Sequence, residues 1–193
     1  MKKQKILIDV DLTIIRTDVL WDKWLRSQSE HRPPYGDLDR WYNGLYQEEK
    51  IDYNLSSYYP DVEKPFKFWN NLDYRDKEPE FYCKDVIQQL SEKYDIQFVS
   101  HVEGYHGESK YMFLKKHFPY NKGVYFTREK SGMNGSDVAF MIDDRYNHLI
   151  GFEKEKRILK ETVFTQDVPD IETEFSFSEW TWFEKILKEK NVL

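Results

Sequence analysis

The sequence predicts a three-layer α/β fold around a parallel sheet, and three observations carry the prediction. Short apolar runs that end in polar residues recur at Ile6–Ile8, Ile96–Val99, Val124–Phe126, Phe140–Ile142 and Thr162–Phe164, as buried parallel strands do. Stretches with a helical period lie between them. One long segment, from Arg16 to Pro79, breaks this rhythm and shows no strand pattern.

Ile6–Ile8 is the first strand. Residues 16–79 follow, rich in Trp, Tyr and charge and carrying Pro33-Pro34 and Pro60. They are expected to form a helical cap inserted between the first and second strands, with 1–15 and 80–193 as the core. Cys83, Val86, Ile87, Leu90 and Tyr94 recur at helical spacing and mark one face of a helix leading into Ile96–Val99. Tyr111, Leu114 and Phe118 form a shorter stripe, ended by Pro119. Ser178 to Lys190 is expected to close the chain as a helix, with Ser178 as N-cap, Glu179 in the first turn and Trp182, Phe183, Ile186 and Leu187 inward.

The 193 residues suffice for a real core, and 39% hydrophobic residues place the chain among globular proteins. A net charge of −6 argues against a nucleic-acid coat or a membrane binder, because nothing offsets phosphate repulsion over the surface. It leaves room for a small anionic substrate held by a metal and a few local cations. Cys83 is the single cysteine, so no intrachain disulfide forms; a buried apolar role suits it better than a nucleophilic one. Lysines before an apolar run resemble a signal peptide, but Asp9 and Asp11 lie inside that run. A soluble, cytoplasmic protein is expected. There is no internal repeat and no glycine-rich phosphate loop.

The chemistry-bearing residues begin at Ile6-Leu-Ile-Asp9-Val-Asp11-Leu-Thr13, an apolar strand ending in two carboxylates. In open α/β sheets, ligands bind at the carboxyl ends of strands. Phe140-Met-Ile-Asp143-Asp144 repeats the layout. Two such ends side by side repel unless a cation lies between them, and a hard divalent ion with oxygen ligands, most simply Mg²⁺, meets that need. Ser100 puts a hydroxyl at the end of another strand, and Thr127-Arg-Glu-Lys130 supplies cations after a third.

Taken in order, Asp-x-Asp, Ser, Lys and Asp-Asp resemble the haloacid dehalogenase superfamily, over nearly the whole chain. Phe68-Trp-Asn-Asn-Leu72, Lys110, His117-Phe-Pro119, Thr127-Arg-Glu-Lys130, Ile142-Asp-Asp-Arg145 and Phe177-Ser-Glu-Trp180 narrow the resemblance to the 5′(3′)-deoxyribonucleotidase group and its phage and bacterial relatives. The chain departs from that group with Leu12 where glycine is usual, and with Ser100-His101 where Thr-Ser is usual. The gap from Lys130 to Asp143 is also longer.

The resemblance implies a Rossmann-like core with a small helical cap, Mg²⁺ as cofactor and a phosphomonoester substrate, a nucleoside monophosphate above all. It implies Asp9 as nucleophile, Asp11 as acid/base, and Ser100 and Lys130 at the phosphoryl group. Asp9, Asp11, Asp143 and Asp144 are the implied metal site, with Asp144 weighted over Asp143. His101 and Arg128 are candidate substrate contacts. Among the cap aromatics Trp21, Trp24, Trp41, Tyr42, Tyr46 and Trp69, the pair Trp41 and Tyr42 is chosen for stacking on a base. His101, Glu103, His106 and Glu108 could suggest zinc but fit a loop and helix start better. A polynucleotide-end phosphatase and a non-catalytic module of the same fold are the alternatives, and a homodimer is allowed.

Overall fold

The computed structural model describes residues 2–42, 51–102, 105–165 and 172–193. Its centre is a six-stranded, all-parallel sheet built from β1 (Lys5–Ile8), β2 (Asp95–Ser100), β3 (Gly123–Phe126), β4 (Val138–Asp143), β5 (Arg157–Lys160) and β6 (Phe175–Phe177). The spatial order is β3-β2-β1-β4-β5-β6. Successive side chains of a strand point to opposite faces. Ile6, Ile8, Ile96, Phe98, Ile142 and Ile158 accordingly enter one buried cluster, while Leu7, Val99, Met141 and Leu159 enter another.

Seven α-helices are described: α1 (Thr17–Gln28), α2 (Leu38–Tyr42), α3 (Lys67–Asn71), α4 (Cys83–Lys93), α5 (Gly107–His117), α6 (Tyr146–Leu149) and α7 (Trp180–Glu189). The first four lie between β1 and β2 in sequence, and the described residues of 16–79 contain no strand of the sheet. The buried residues of this segment, among them Trp21, Leu25, Tyr35, Leu55, Tyr59 and Phe68, join the same cluster as Ile6 and Ile8. Asp22 is wholly buried there, accepting the Tyr35 hydroxyl at 2.7 Å, the Tyr59 hydroxyl at 2.5 Å and Arg26 Nε at 2.7 Å. The two ends of this segment meet where the Glu80 amide donates to the Ile14 carbonyl at 2.8 Å.

Three expectations are corrected. Thr162–Phe164 is a turn, closed by Thr165 N–H donating to the Thr162 carbonyl at 3.0 Å. The fifth strand is instead Arg157–Lys160, concealed in the sequence by its charged ends. Lys160 is fully buried, its ammonium lying 3.3 Å from Glu80 Oε2 and donating to the Ser178 carbonyl at 2.9 Å. In α7 the N-cap is Glu179, and Trp182 is 53% exposed, so Trp180, Phe183 and Leu187 form the buried face. In α5 the inward residues are Lys110, Phe113, Leu114 and His117, and Tyr111 faces outward. Among the described residues, no helix is long and apolar enough to cross a membrane.

Candidate active site

The chain runs from β1 outward to β2 and β3, then returns to place β4 on the other side of β1, so a crevice opens at the carboxyl ends of β1 and β4. Asp9 follows β1 directly, and its amide donates to the Ile142 carbonyl at 2.9 Å, which brings it beside Asp143. A tight turn follows, with Leu12 N–H donating to the Ile15 carbonyl at 2.8 Å and Ile14 N–H to the Val10 carbonyl at 3.0 Å. Leu12 has φ of 62°, the left-handed conformation that glycine adopts without steric cost. The departure from glycine at this position is therefore a strained leucine whose side chain lines the cleft.

Oxygens of Asp9, Asp143 and Asp144 lie within 4.8 Å of one another, and all three residues are buried. Lys130 reaches in from the segment after β3. Its ammonium donates to Asp9 Oδ1 and to Asp143 Oδ2, the latter at 2.7 Å. Asp143 is further engaged by the Arg145 amide at 2.8 Å and by His148 Nδ1 at 3.1 Å from both carboxylate oxygens.

Protonation follows from these partners. Burial, with Asp143 and Asp11 nearby, pushes Asp9 up to about 6 against the pull of Lys130. Burial, then Asp143 and Asp9, drives Asp144 well above the usual carboxylate range. Burial acts the same way on Asp143, but Lys130 and His148 outweigh it and hold that carboxyl below its ordinary value. Lys130 is raised, because Asp143 and Asp9 overcome the opposing effect of its own burial. Asp144 thus carries the least compensated carboxylate. Around Asp9, Asp143 and Asp144, three converging carboxyl groups meet a single ammonium, that of Lys130, which binds only the first two. An all-oxygen, buried, mutually repelling donor set suits a hard divalent ion.

Asp11 does not join that cluster. Its carboxylate turns toward Tyr74, whose hydroxyl donates to Oδ1 at 2.6 Å, and toward Lys110, whose ammonium lies 2.6 Å from Oδ2. Burial would raise this carboxyl, but Lys110 and then Tyr74 prevail and lower it. The Asp11 carboxylate thus lies outside the group of oxygens that converges at Asp9, Asp143 and Asp144. Ser100 is fully buried behind Asp11, accepting from Lys110 Nζ at 3.0 Å, so its hydroxyl is directed to the acid/base candidate and away from the cleft.

Above the carboxylates lies a cleft of about 560 Å³. Asp9, Asp11, Lys130, Asp144 and His101 line it together with the aromatic residues Trp21, Tyr53, Phe66 and Trp69. Trp21 packs at 5.6 Å from both Phe66 and Trp69. Tyr42 is elsewhere: its hydroxyl donates to Asp18 at 2.6 Å, and the Arg16 guanidinium sits 4.1 Å from its ring centroid. Tyr42, expected to stack on a base, is not among the residues that line this cleft. The Trp41 side chain, Tyr46 and Glu103 lie outside the described residues. Arg128 stands behind His101, donating from Nε to His101 Nε2 at 2.8 Å.

Sequence reasoning passed over Lys110, Tyr74 and His148 as site residues. For Lys110 a signal existed: it falls three and four residues before Phe113 and Leu114, on the buried face of α5. Tyr74 gives none, since its partner Asp11 is 63 residues away.

No protein-family model matches the chain, and neither does any curated protein. Solved structures do. They include a haloacid dehalogenase-like hydrolase from Burkholderia xenovorans at 11% identity, covering 98% of each chain with a TM-score of 0.59. The HAD-hydrolase YfnB from Bacillus subtilis, bound to magnesium, aligns at 15% identity over 97% of this chain and 99% of its own, with a TM-score of 0.56. A haloacid dehalogenase-like family hydrolase from Streptococcus pneumoniae aligns at 9% identity over 96% of this chain and 98% of its own, with a TM-score of 0.57. Alignment over nearly the full length of these structures shows that the chain adopts the fold of haloacid dehalogenase-like hydrolases.

Proposed function

We propose that this protein is a Mg²⁺-dependent phosphomonoesterase acting through Asp9, with nucleoside monophosphates, deoxyribonucleotides above all, as its substrate class. The observation that carries the reading is the convergence of Asp9, Asp143 and Asp144 within 4.8 Å, with the Lys130 ammonium bound to the first two.

A carboxylate approaching a phosphate dianion at ~4 Å meets a repulsion of roughly 4 kcal/mol per pair of unit charges at an intermediate effective dielectric. Mg²⁺ held by Asp9, Asp144 and Asp143 would act as a Lewis acid on a phosphate oxygen and offset that repulsion. Lys130 holds Asp9 ionised and aimed. In the reaction, Asp9 attacks phosphorus, its O–P bond forms as the ester P–O bond breaks, and an aspartyl-phosphate results. Asp11, held ionised by Lys110 and Tyr74 in the free enzyme, takes up the proton that the phosphate monoester monoanion brings in, gives it to the departing alkoxide, then takes one from the water that cleaves the intermediate. The substrate class is supported by the exposed rings of Tyr53 and Phe66, which with Trp69 line the same cleft as Asp9 and Asp144 and offer apolar surface to a base.

A panel of deoxy- and ribonucleoside monophosphates, run beside a 3′-phosphorylated oligonucleotide with released phosphate measured, tests this. We expect turnover of the mononucleotides with Mg²⁺, loss with EDTA and recovery on adding Mg²⁺ back. Asp9→Asn should remain folded and lose at least ~10³-fold in kcat, by analogy with other nucleophile removals. Phosphate release that ignores chelation, or a largely active Asp9→Asn, would sink the proposal.

A further inference from the structure

Both oxygens of Asp11 are held from behind by buried groups. Lys110 is fully buried in α5, and an ammonium has three protons to give. Its three oxygen partners are Asp11 Oδ2 at 2.6 Å, Ser100 Oγ at 3.0 Å and the His101 carbonyl at 3.3 Å. Tyr74 is equally buried and gives its hydroxyl proton to Asp11 Oδ1 at 2.6 Å. Its ring is stacked on His106 at 5.7 Å with planes 25° apart, and the Lys110 ammonium lies 4.8 Å from the ring centroid. The Tyr74 amide donates to Ser109 Oγ at 3.3 Å, so α5 fixes both donors. A carboxylate gripped at each oxygen cannot rotate about its terminal bond, yet Asp11 still lines the cleft.

From this geometry we propose that Tyr74 and Lys110 are positioning residues that aim the Asp11 carboxyl at the leaving-group oxygen. The proposal rests on the reading of Asp11 as general acid. Tyr74 and Lys110 touch neither phosphorus nor the leaving group; they act through Asp11. Their value is directional, because a proton donor contributes only when it lies within hydrogen-bond reach of the departing oxygen. Holding one carboxyl rotamer before substrate arrives keeps that reach without a reordering cost in the transition state.

The test compares leaving groups. An alkoxide departing from a nucleotide needs a proton, whereas p-nitrophenolate leaves without one at neutral pH. We would measure kcat/KM, which reports the first chemical step, for the best deoxynucleoside monophosphate and for p-nitrophenyl phosphate. The enzymes compared are the wild type, Asp11→Asn, Tyr74→Phe and Lys110→Met. Asp11→Asn should lose ~10²–10⁴-fold on the nucleotide and ~10-fold or less on the aryl ester, the usual span of general acid catalysis. Tyr74→Phe, which removes one oxygen atom and keeps the ring, should show the same selectivity at roughly 5- to 30-fold, and Lys110→Met at roughly 10- to 100-fold. If Lys110→Met does not fold, Tyr74→Phe decides alone. Selective loss in Asp11→Asn with equal or no loss on both substrates in Tyr74→Phe overturns the positioning role and leaves the acid assignment standing. An Asp11→Asn that is not selective, or a wild type inactive on both esters, overturns the acid assignment and the positioning role together.

Discussion

Two buried aspartates on α1, four residues apart, meet different neighbours. Asp22 is matched by the Arg26 guanidinium and two tyrosine hydroxyls. Asp18 receives the Tyr42 hydroxyl at 2.6 Å, and burial pushes its carboxyl up to about 6 in spite of that bond. A carboxyl raised above its ordinary 3.8 binds its proton more tightly folded than unfolded, so stability falls as pH rises from about 4 to about 6. Above that window the full cost of an ionised, buried Asp18 is present. Asp18→Asn should therefore raise stability at pH 7.5 by about 1–3 kcal/mol, several degrees in Tm for a chain of this size. The gain should shrink on acidification and vanish near pH 4. Calorimetric melts from pH 4 to 7.5 check this, and a gain independent of pH would contradict it.

At the level of elements, β5 shows how a charge can sit inside an apolar layer. The Lys160 and Glu80 side chains are both buried, and Arg16 Nε lies 3.3 Å from the other carboxylate oxygen of Glu80. Removing one member of a buried pair leaves the other uncompensated, at a cost of about 3–5 kcal/mol. Lys160→Met should lower the unfolding free energy, measured by urea titration, by that amount, less the share that Arg16 still compensates. Adding Glu80→Gln should restore most of it, whereas additive losses would refute the pairing. The same residue explains part of what could be read from sequence. β1, β2, β3 and β4 were legible because their apolar runs are continuous, and with them Asp9, Asp11, Asp143, Asp144 and Lys130 near their tips. β5 was not, because Lys160 reads as solvent-facing until Glu80 is brought to it by the fold. Lys110 differs, because its spacing to Phe113 and Leu114 already placed it on the buried face of α5. The cleft aromatics were half legible: Trp21 and Trp69 were among the candidates, but which rings face the carboxylates depends on tertiary packing that periodicity does not encode.

Over the whole molecule, the acidic cluster joins two strands that are far apart in the chain, so a divalent cation binding there should stabilise the entire sheet. At a free Mg²⁺ concentration of ~100 times its dissociation constant the gain is about 2.7 kcal/mol. The raised carboxyls of Asp9, about 6, and of Asp144 give this gain a pH dependence. As pH falls through about 6 these groups take up protons in competition with the metal, and the stabilisation is lost. Melting temperatures with Mg²⁺ and with EDTA should differ at pH 7.5 and converge at pH 5; equal values at pH 7.5 would refute metal binding by the cluster.

The left-handed backbone at Leu12 also restricts which residues can replace it over evolutionary time. Glycine, asparagine and aspartate accept that conformation, while valine, isoleucine and threonine, with branching next to the main chain, do not. A β-branched replacement would have to unwind the turn that carries residue 11 away from the strand. Substitutions at residue 12 should thus be filtered by main-chain shape before side-chain chemistry is felt at all.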